Sequence, residues 1–184
     1  AASDVYKRQL ESHRKDLDGI YISGGEPLMH EGVVSFLQYA KTLNYKIKIH
    51  TNGMFYERLK TILAQKLVDH VSLDIKNAPS AYAKTCGVED MDLKDIEKSL
   101  DLLKQSVVPY DICVTLVDEL HNQATIEELG EWIQGVDTVI LQPFEDRETT
   151  IDHSLHRPSF KVVLKYKKIF EKYVKHVKIR GDQA

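Results

Sequence analysis

Ile20-Tyr21-Ile22-Ser23-Gly24-Gly25-Glu26-Pro27 reads as a short apolar strand that ends in two glycines, a carboxylate and a proline. Glycine carries no Cβ, so a bound molecule can approach the main chain closely, and paired glycines tolerate dihedrals that other residues resist. Glu26 adds one negative charge beside exposed carbonyls, and Pro27 fixes the turn into the segment that follows. A strand end of this kind suits a small ligand bearing an ammonium group. Taken alone, Gly-Gly after a strand also fits a plain tight turn, so the reading depends on what surrounds it.

Outward from this strand the chain alternates without a break. Val33, Val34, Phe36, Leu37, Ala40 and Leu43 recur at helical spacing, and Lys46-Ile47-Lys48-Ile49-His50-Thr51 alternates as a strand does. After Thr51-Asn52-Gly53 comes a helix carrying Tyr56, Leu59, Ile62, Leu63 and Leu67, and then the strand Val71-Ser72-Leu73-Asp74-Ile75-Lys76. Period-two alternation puts Ser72, Asp74 and Lys76 on one face. A loop around Pro79 and Gly87 precedes an amphipathic helix with Leu93, Ile96, Leu100, Leu103 and Val107. Strands at 111–117, 138–144 and 176–180 then alternate with helices marked by Ile126, Leu129, Trp132 and Ile133, and by Phe160, Val163, Leu164, Ile169, Phe170 and Tyr173.

Such a pattern predicts an α/β fold of parallel strands with helical crossovers, either an open doubly wound sheet or part of a (β/α) barrel. Both architectures place ligands at the C-terminal ends of the strands. The polar punctuation lies there: Gly24-Gly25-Glu26, Thr51-Asn52-Gly53, Asp74-Ile75-Lys76, Gln142 and Arg180. At 184 residues with 42% hydrophobic content, the chain has enough apolar material for one domain. A net charge of -3, spread along the chain, leaves no footprint for nucleic acid or an anionic membrane. No apolar run approaches transmembrane length and no signal-peptide pattern opens the chain, which points to the cytoplasm. Two distant cysteines, Cys86 and Cys113, form neither a CxxC pair nor a disulfide framework.

Gly24-Gly25-Glu26-Pro27, Thr51-Asn52-Gly53 and Asp74-Ile75-Lys76, in that order on successive strands, resemble the radical S-adenosylmethionine (SAM) superfamily. The likeness runs over about residues 10–181 and is strongest to the activating enzymes of glycyl-radical proteins, in particular those of anaerobic ribonucleoside-triphosphate reductase. Val68-Asp69-His70-Val71-Ser72-Leu73-Asp74-Ile75-Lys76, Leu141-Gln142-Pro143-Phe144 and Val177-Lys178-Ile179-Arg180-Gly181 carry it further. The resemblance implies a partial (β/α)6 TIM-like barrel that binds SAM and a [4Fe-4S] cluster. It implies reductive cleavage of SAM, followed by removal of a hydrogen atom from a glycine of a partner enzyme such as anaerobic ribonucleotide reductase. A flavodoxin- or ferredoxin-type protein would supply the electron. The implied cofactor-binding residues are Gly24, Gly25, Glu26 and Pro27 at the methionyl amino group, Thr51 and Asn52 along the same wall, and Asp74 and Lys76 near the methionine carboxylate or ribose.

Three departures bear on that implication. The family's CxxxCxxC motif and the strand before it do not occur in this sequence, so no metal-ligating residue is assigned here. Residues 1–9, with Asp4-Val5-Tyr6-Lys7-Arg8-Gln9, look like a non-native leader, and the expectation is of an incomplete barrel domain over residues 10–184, truncated at its N-terminus and inactive as written. His50 stands where many such activases have an aspartate, and Cys113 where relatives often place an arginine. Cys113 reads as a buried small hydrophobe, Cys86 as a free loop thiol and Trp132 as core. Two rivals remain: a radical SAM enzyme acting on a small molecule, of the 7-carboxy-7-deazaguanine synthase kind, and a cluster-free barrel that only binds or scaffolds.

Overall fold

The alternation Lys46-Ile47-Lys48-Ile49-His50-Thr51 becomes strand β2 (Lys46–Thr51), with Ile47, Ile49 and Thr51 buried. The structure, a computed structural model, describes residues 2–148 and 150–181. The chain divides into two compact units, Ala1–Leu73 with Lys94–Tyr110, and Asp74–Leu93 with Asp111–Ala184.

In the first unit, helix α1 (Ala2–Ser12) leads to β1 (Gly19–Ile22), then α2 (Val33–Thr42), β2, α3 (Tyr56–Ala64) and β3 (His70–Asp74), which ends at the unit boundary. β1 pairs parallel with β2, and β2 parallel with β3, in a register that sets Ile49 beside Val71 and Thr51 beside Leu73. Leu37, Ala40, Leu59 and Ile62 from the helices close over Ile47, Ile49, Val71 and Leu73, all fully buried. Helix α5 (Lys94–Lys104) packs on α3 and buries Ile96, Ser99, Leu100 and Leu103. Residues 1–9, read from sequence as a leader outside the fold, run into residues 10–12 as one helix in α1, which touches α2.

The second unit contains α4 (Pro79–Thr85), β4 (Tyr110–Leu116), α6 (Gln123–Trp132), β5 (Thr138–Pro143), α7 (Phe160–Phe170) and β6 (His176–Ile179). β4, β5 and β6 pair parallel in that order. Asn122 opens α6 with a capping box: its side chain accepts from Thr125 N–H while the Thr125 hydroxyl accepts from Asn122 N–H. α6 packs against α7 and α4. α4 departs from the loop expected around Pro79. Its seven residues are too few to show a period, yet Pro79 at its first turn and Gly87 (φ +72°) after its end are ordinary start and stop signals. The expected α/β class with six parallel strands is present, and a helix stands in every crossover. This is consistent with a partial TIM-like barrel.

Candidate functional site

β1 ends at Ile22, and the chain turns through Gly24 (φ +89°) and Gly25 (φ +59°). Two consecutive left-handed residues are readily adopted by glycine alone. Nothing lies within 4 Å of where either Cβ would stand, so backbone conformation, not crowding, calls for these glycines. Both are exposed, and their main chain faces open space.

Glu26 behaves differently from the ligand-facing charge read from sequence. It is 8% exposed and turned inward. Its Oε1 accepts from Leu28 N–H (2.9 Å) and from the Thr51 hydroxyl (2.8 Å), and its Oε2 accepts from Asn52 N–H (2.6 Å). Hydrogen bonds to an ionised acceptor are among the stronger ones, so this carboxylate ties the Gly-Gly turn to the end of β2. Pro27, also buried, starts a single 3-10 turn over Pro27–Met29. Thr51 accepts in turn from Gly53 N–H (3.2 Å), and the buried Ser99 hydroxyl donates to the Gly53 carbonyl (2.7 Å). Gly53 has φ +78°, and a Cβ there would stand 2.8 Å from Leu73 Cδ1, so here both conformation and space demand glycine. The first unit thus brings Gly24, Gly25, Glu26, Pro27, Thr51 and Asn52 together. Beside them, the Tyr21 hydroxyl lies 2.8 Å from His50 Nδ1.

In the second unit Asp74 and Lys76 form an ion pair, their side chains 17% and 40% exposed. Only one carboxylate oxygen of Asp74 is used there; Oδ1 is buried with no hydrogen-bond partner among the described residues. Lys76 lies beyond the end of β3, where Ile75 N–H still donates to the Cys113 carbonyl (3.0 Å). Asn77, fully buried, donates to the Leu120 carbonyl (2.8 Å) and the Thr85 hydroxyl (2.9 Å) and accepts from Ala78 N–H (2.8 Å). His121 Nε2 lies 3.0 Å from the Lys76 carbonyl. A carbonyl can only accept, so that nitrogen carries the proton, and Nδ1 accepts from Val117 N–H (3.1 Å). Burial holds the imidazole below its usual pKa and therefore neutral.

Cys113 is buried, and burial, then the nearby Asp74 charge, pushes its thiol up to about 11. Tyr82, buried and edge-on to Trp132 with ring centres 6.0 Å apart, is likewise pushed up by burial. Arg180 donates to Gln142 Oε1 (2.6 Å) at the ends of β6 and β5. His153 and His156, whose spacing imitates a metal-binding pair, instead face carboxylates: His153 meets Asp146 (2.8 Å) and His156 meets Glu119 (2.6 Å). Sequence reasoning missed Asn77, Ser99 and His121. Ser99 sits on the apolar stripe of α5, and the other two are lone polar residues without a periodic signal.

The radical SAM superfamily profile matches residues 3–133. The chain belongs to that superfamily. A protein of Methanocaldococcus jannaschii, whose name assigns it provisionally to the glycyl-radical enzyme activating enzymes, is 30% identical over 169 residues, covering 89% of this chain and 70% of that protein. Among solved structures, a domain of pyruvate-formate lyase-activating enzyme from Bacteroides vulgatus superposes with a TM-score of 0.68 at 19% identity, over 89% of this chain and 99% of that one. A radical SAM methyltransferase from Sphaerobacter thermophilus gives 0.74 at 14% identity, over 98% of this chain and 55% of that one. Streptococcus suis SuiB bound to SAM gives 0.75 at 14%, over 98% and 44%. At these identities the likeness to solved structures is one of fold.

Radical SAM proteins use SAM and a [4Fe-4S] cluster, and the residues here fit the two groups unequally. The exposed Gly24 and Gly25 main chain and the unpartnered Asp74 Oδ1 are acceptors of the sort that SAM's ammonium and ribose hydroxyls require. The cluster finds no such fit. Cys86 is an exposed thiol, Cys113 a buried one held protonated, and no group of three or more His, Cys, Asp or Glu is placed to hold a metal among the described residues.

Proposed function

We propose that this radical SAM chain is the SAM-binding part of an activating enzyme that installs a glycyl radical on an oxygen-sensitive partner, with anaerobic ribonucleotide reductase as that partner. The Methanocaldococcus relative at 30% identity supports the activase class. A flavodoxin- or ferredoxin-type protein supplies the electron, and the reaction runs in the cytoplasm. The observation that carries the reading is the inward Glu26: with its carboxylate occupied by Leu28, Thr51 and Asn52, the ligand-facing surface of the turn is the Gly24 and Gly25 main chain.

In this reading the Gly24 and Gly25 carbonyls receive the methionyl ammonium, and Glu26 and Pro27 hold the turn in shape. Thr51 and Asn52 line the wall beside it. Lys76 offers its ammonium to the methionine carboxylate, and Asp74 Oδ1 accepts from a ribose hydroxyl. SAM supplies, when bound with its cluster, the radical chemistry; the protein contributes binding, orientation and exclusion of water.

The test uses protein expressed from its uninterrupted coding sequence, purified anaerobically and mixed with SAM, a reductant and anaerobic ribonucleotide reductase. Electron paramagnetic resonance is expected to show a glycyl-radical signal on the reductase that requires SAM. Reductive cleavage of SAM without any glycyl signal would move the assignment to a small-molecule substrate. Absence of both would leave a binding or scaffold role.

A further inference from the structure

The segment Asp74-Ile75-Lys76-Asn77 carries side chains offered to a ligand, yet regular strand structure stops at Asp74. Something else must fix the course of the chain at Lys76. A lysine ammonium on a flexible four-carbon stem is only as well placed as the main chain from which it starts. Its ion pair with Asp74 is partly exposed and is a weak restraint.

The restraint comes from the turn after β4. His121 is 3% exposed, and its ring spans two main-chain groups: Nε2 donates to the Lys76 carbonyl at 3.0 Å, and Nδ1 accepts from Val117 N–H at 3.1 Å. The His121 carbonyl accepts from the buried end of the Tyr166 side chain (3.0 Å), which anchors the turn to α7. One residue further along, Asn77 reaches the Leu120 carbonyl and the Thr85 hydroxyl. A histidine bonded at both ring nitrogens to main chain is a rigid spacer of fixed length, and one of its ends is the carbonyl of Lys76.

We propose that His121 is a positioning residue for Lys76, setting through the Lys76 carbonyl where the Asp74 and Lys76 side chains stand for a ligand. The inference rests on the reading of Lys76 as a SAM-binding residue. The two ring bonds are separable by substitution. His121→Asn places an amide oxygen near the Nδ1 position, keeping the Val117 bond and losing the Lys76 bond. His121→Gln places an amide N–H near the Nε2 position, restoring a donor to Lys76 and losing the Val117 bond.

Amide hydrogen exchange on ligand-free protein reads the positioning directly. His121→Asn is expected to exchange the Ile75 and Ala78 amides about tenfold faster, with His121→Gln close to the parent. In parallel, SAM titrated by NMR is expected to bind about tenfold more weakly to His121→Asn, and within about twofold of the parent to His121→Gln. Equal behaviour of the two variants in exchange overturns the proposal and makes His121 a core histidine only. If Lys76→Met binds SAM as the parent does, the reading of Lys76 fails separately, and the exchange comparison alone decides the positioning role.

Discussion

The Gly-Gly corner of the first unit and the Asp74, Lys76 corner of the second solve opposite problems. At Gly24 and Gly25 the main chain is the exposed surface, and charged and polar side chains are turned inward to hold it: Glu26 on Leu28, Thr51 and Asn52, Ser99 on Gly53. At Asp74 and Lys76 the side chains are the offered groups, and the main chain is held from behind by neutral partners, His121 and Asn77. Presenting backbone demands glycine and a clamp; presenting charge demands a fixed root and clamps without charge of their own. A charged clamp behind Lys76 would compete with Asp74 for its ammonium.

The comparison breaks most visibly at the charged clamp. Glu26→Ala leaves three donors without their acceptor and is expected to cost about 3 kcal/mol in urea unfolding. Gly53→Ala forces a side chain into a left-handed conformation and against Leu73, for about 2 kcal/mol by the same measurement. The neutral clamp should show itself through pH. Because burial lowers the pKa of His121 in the folded state, the unfolded chain takes up the proton first as pH falls through the ordinary histidine value, and stability drops. Stability measured from about pH 7 down to about pH 5 should therefore fall less steeply in His121→Asn than in the parent. The smallest effect on stability is expected at the offered charge itself: Lys76→Met should change it by less than about 1 kcal/mol, since the pair with Asp74 is partly exposed, while weakening SAM binding.

Much of this was legible in the sequence, and the exceptions have physical causes. Strand and helix alternation declared itself because Ile47, Ile49, Val71 and Leu73 keep period two and Ile96, Leu100 and Leu103 keep helical spacing. The three motifs alone place Gly24, Thr51 and Asp74 at strand ends. What the sequence could not display was direction. A glutamate after two glycines reads as a charge for a ligand, and only the positions of Leu28, Thr51 and Asn52 reveal its carboxylate as a clamp. Asn77 and His121 act on groups brought close by folding, and no local pattern marks such partners. α4 was too short to carry a period, and the helix through residues 2–12 lies on a stretch whose composition suggested nothing of the kind.

The central claim is that the Gly24 and Gly25 main chain, and not the Glu26 carboxylate, is the ammonium seat of a SAM site. It is tested most directly by titrating the isotopically labelled protein with millimolar SAM and following backbone amide and Glu26 side-chain carboxyl resonances. The account predicts that the Gly24 and Gly25 amides shift progressively, that those of α7 stay still, and that the Glu26 carboxyl resonance barely moves. A large Glu26 carboxyl shift with still glycine amides would contradict it.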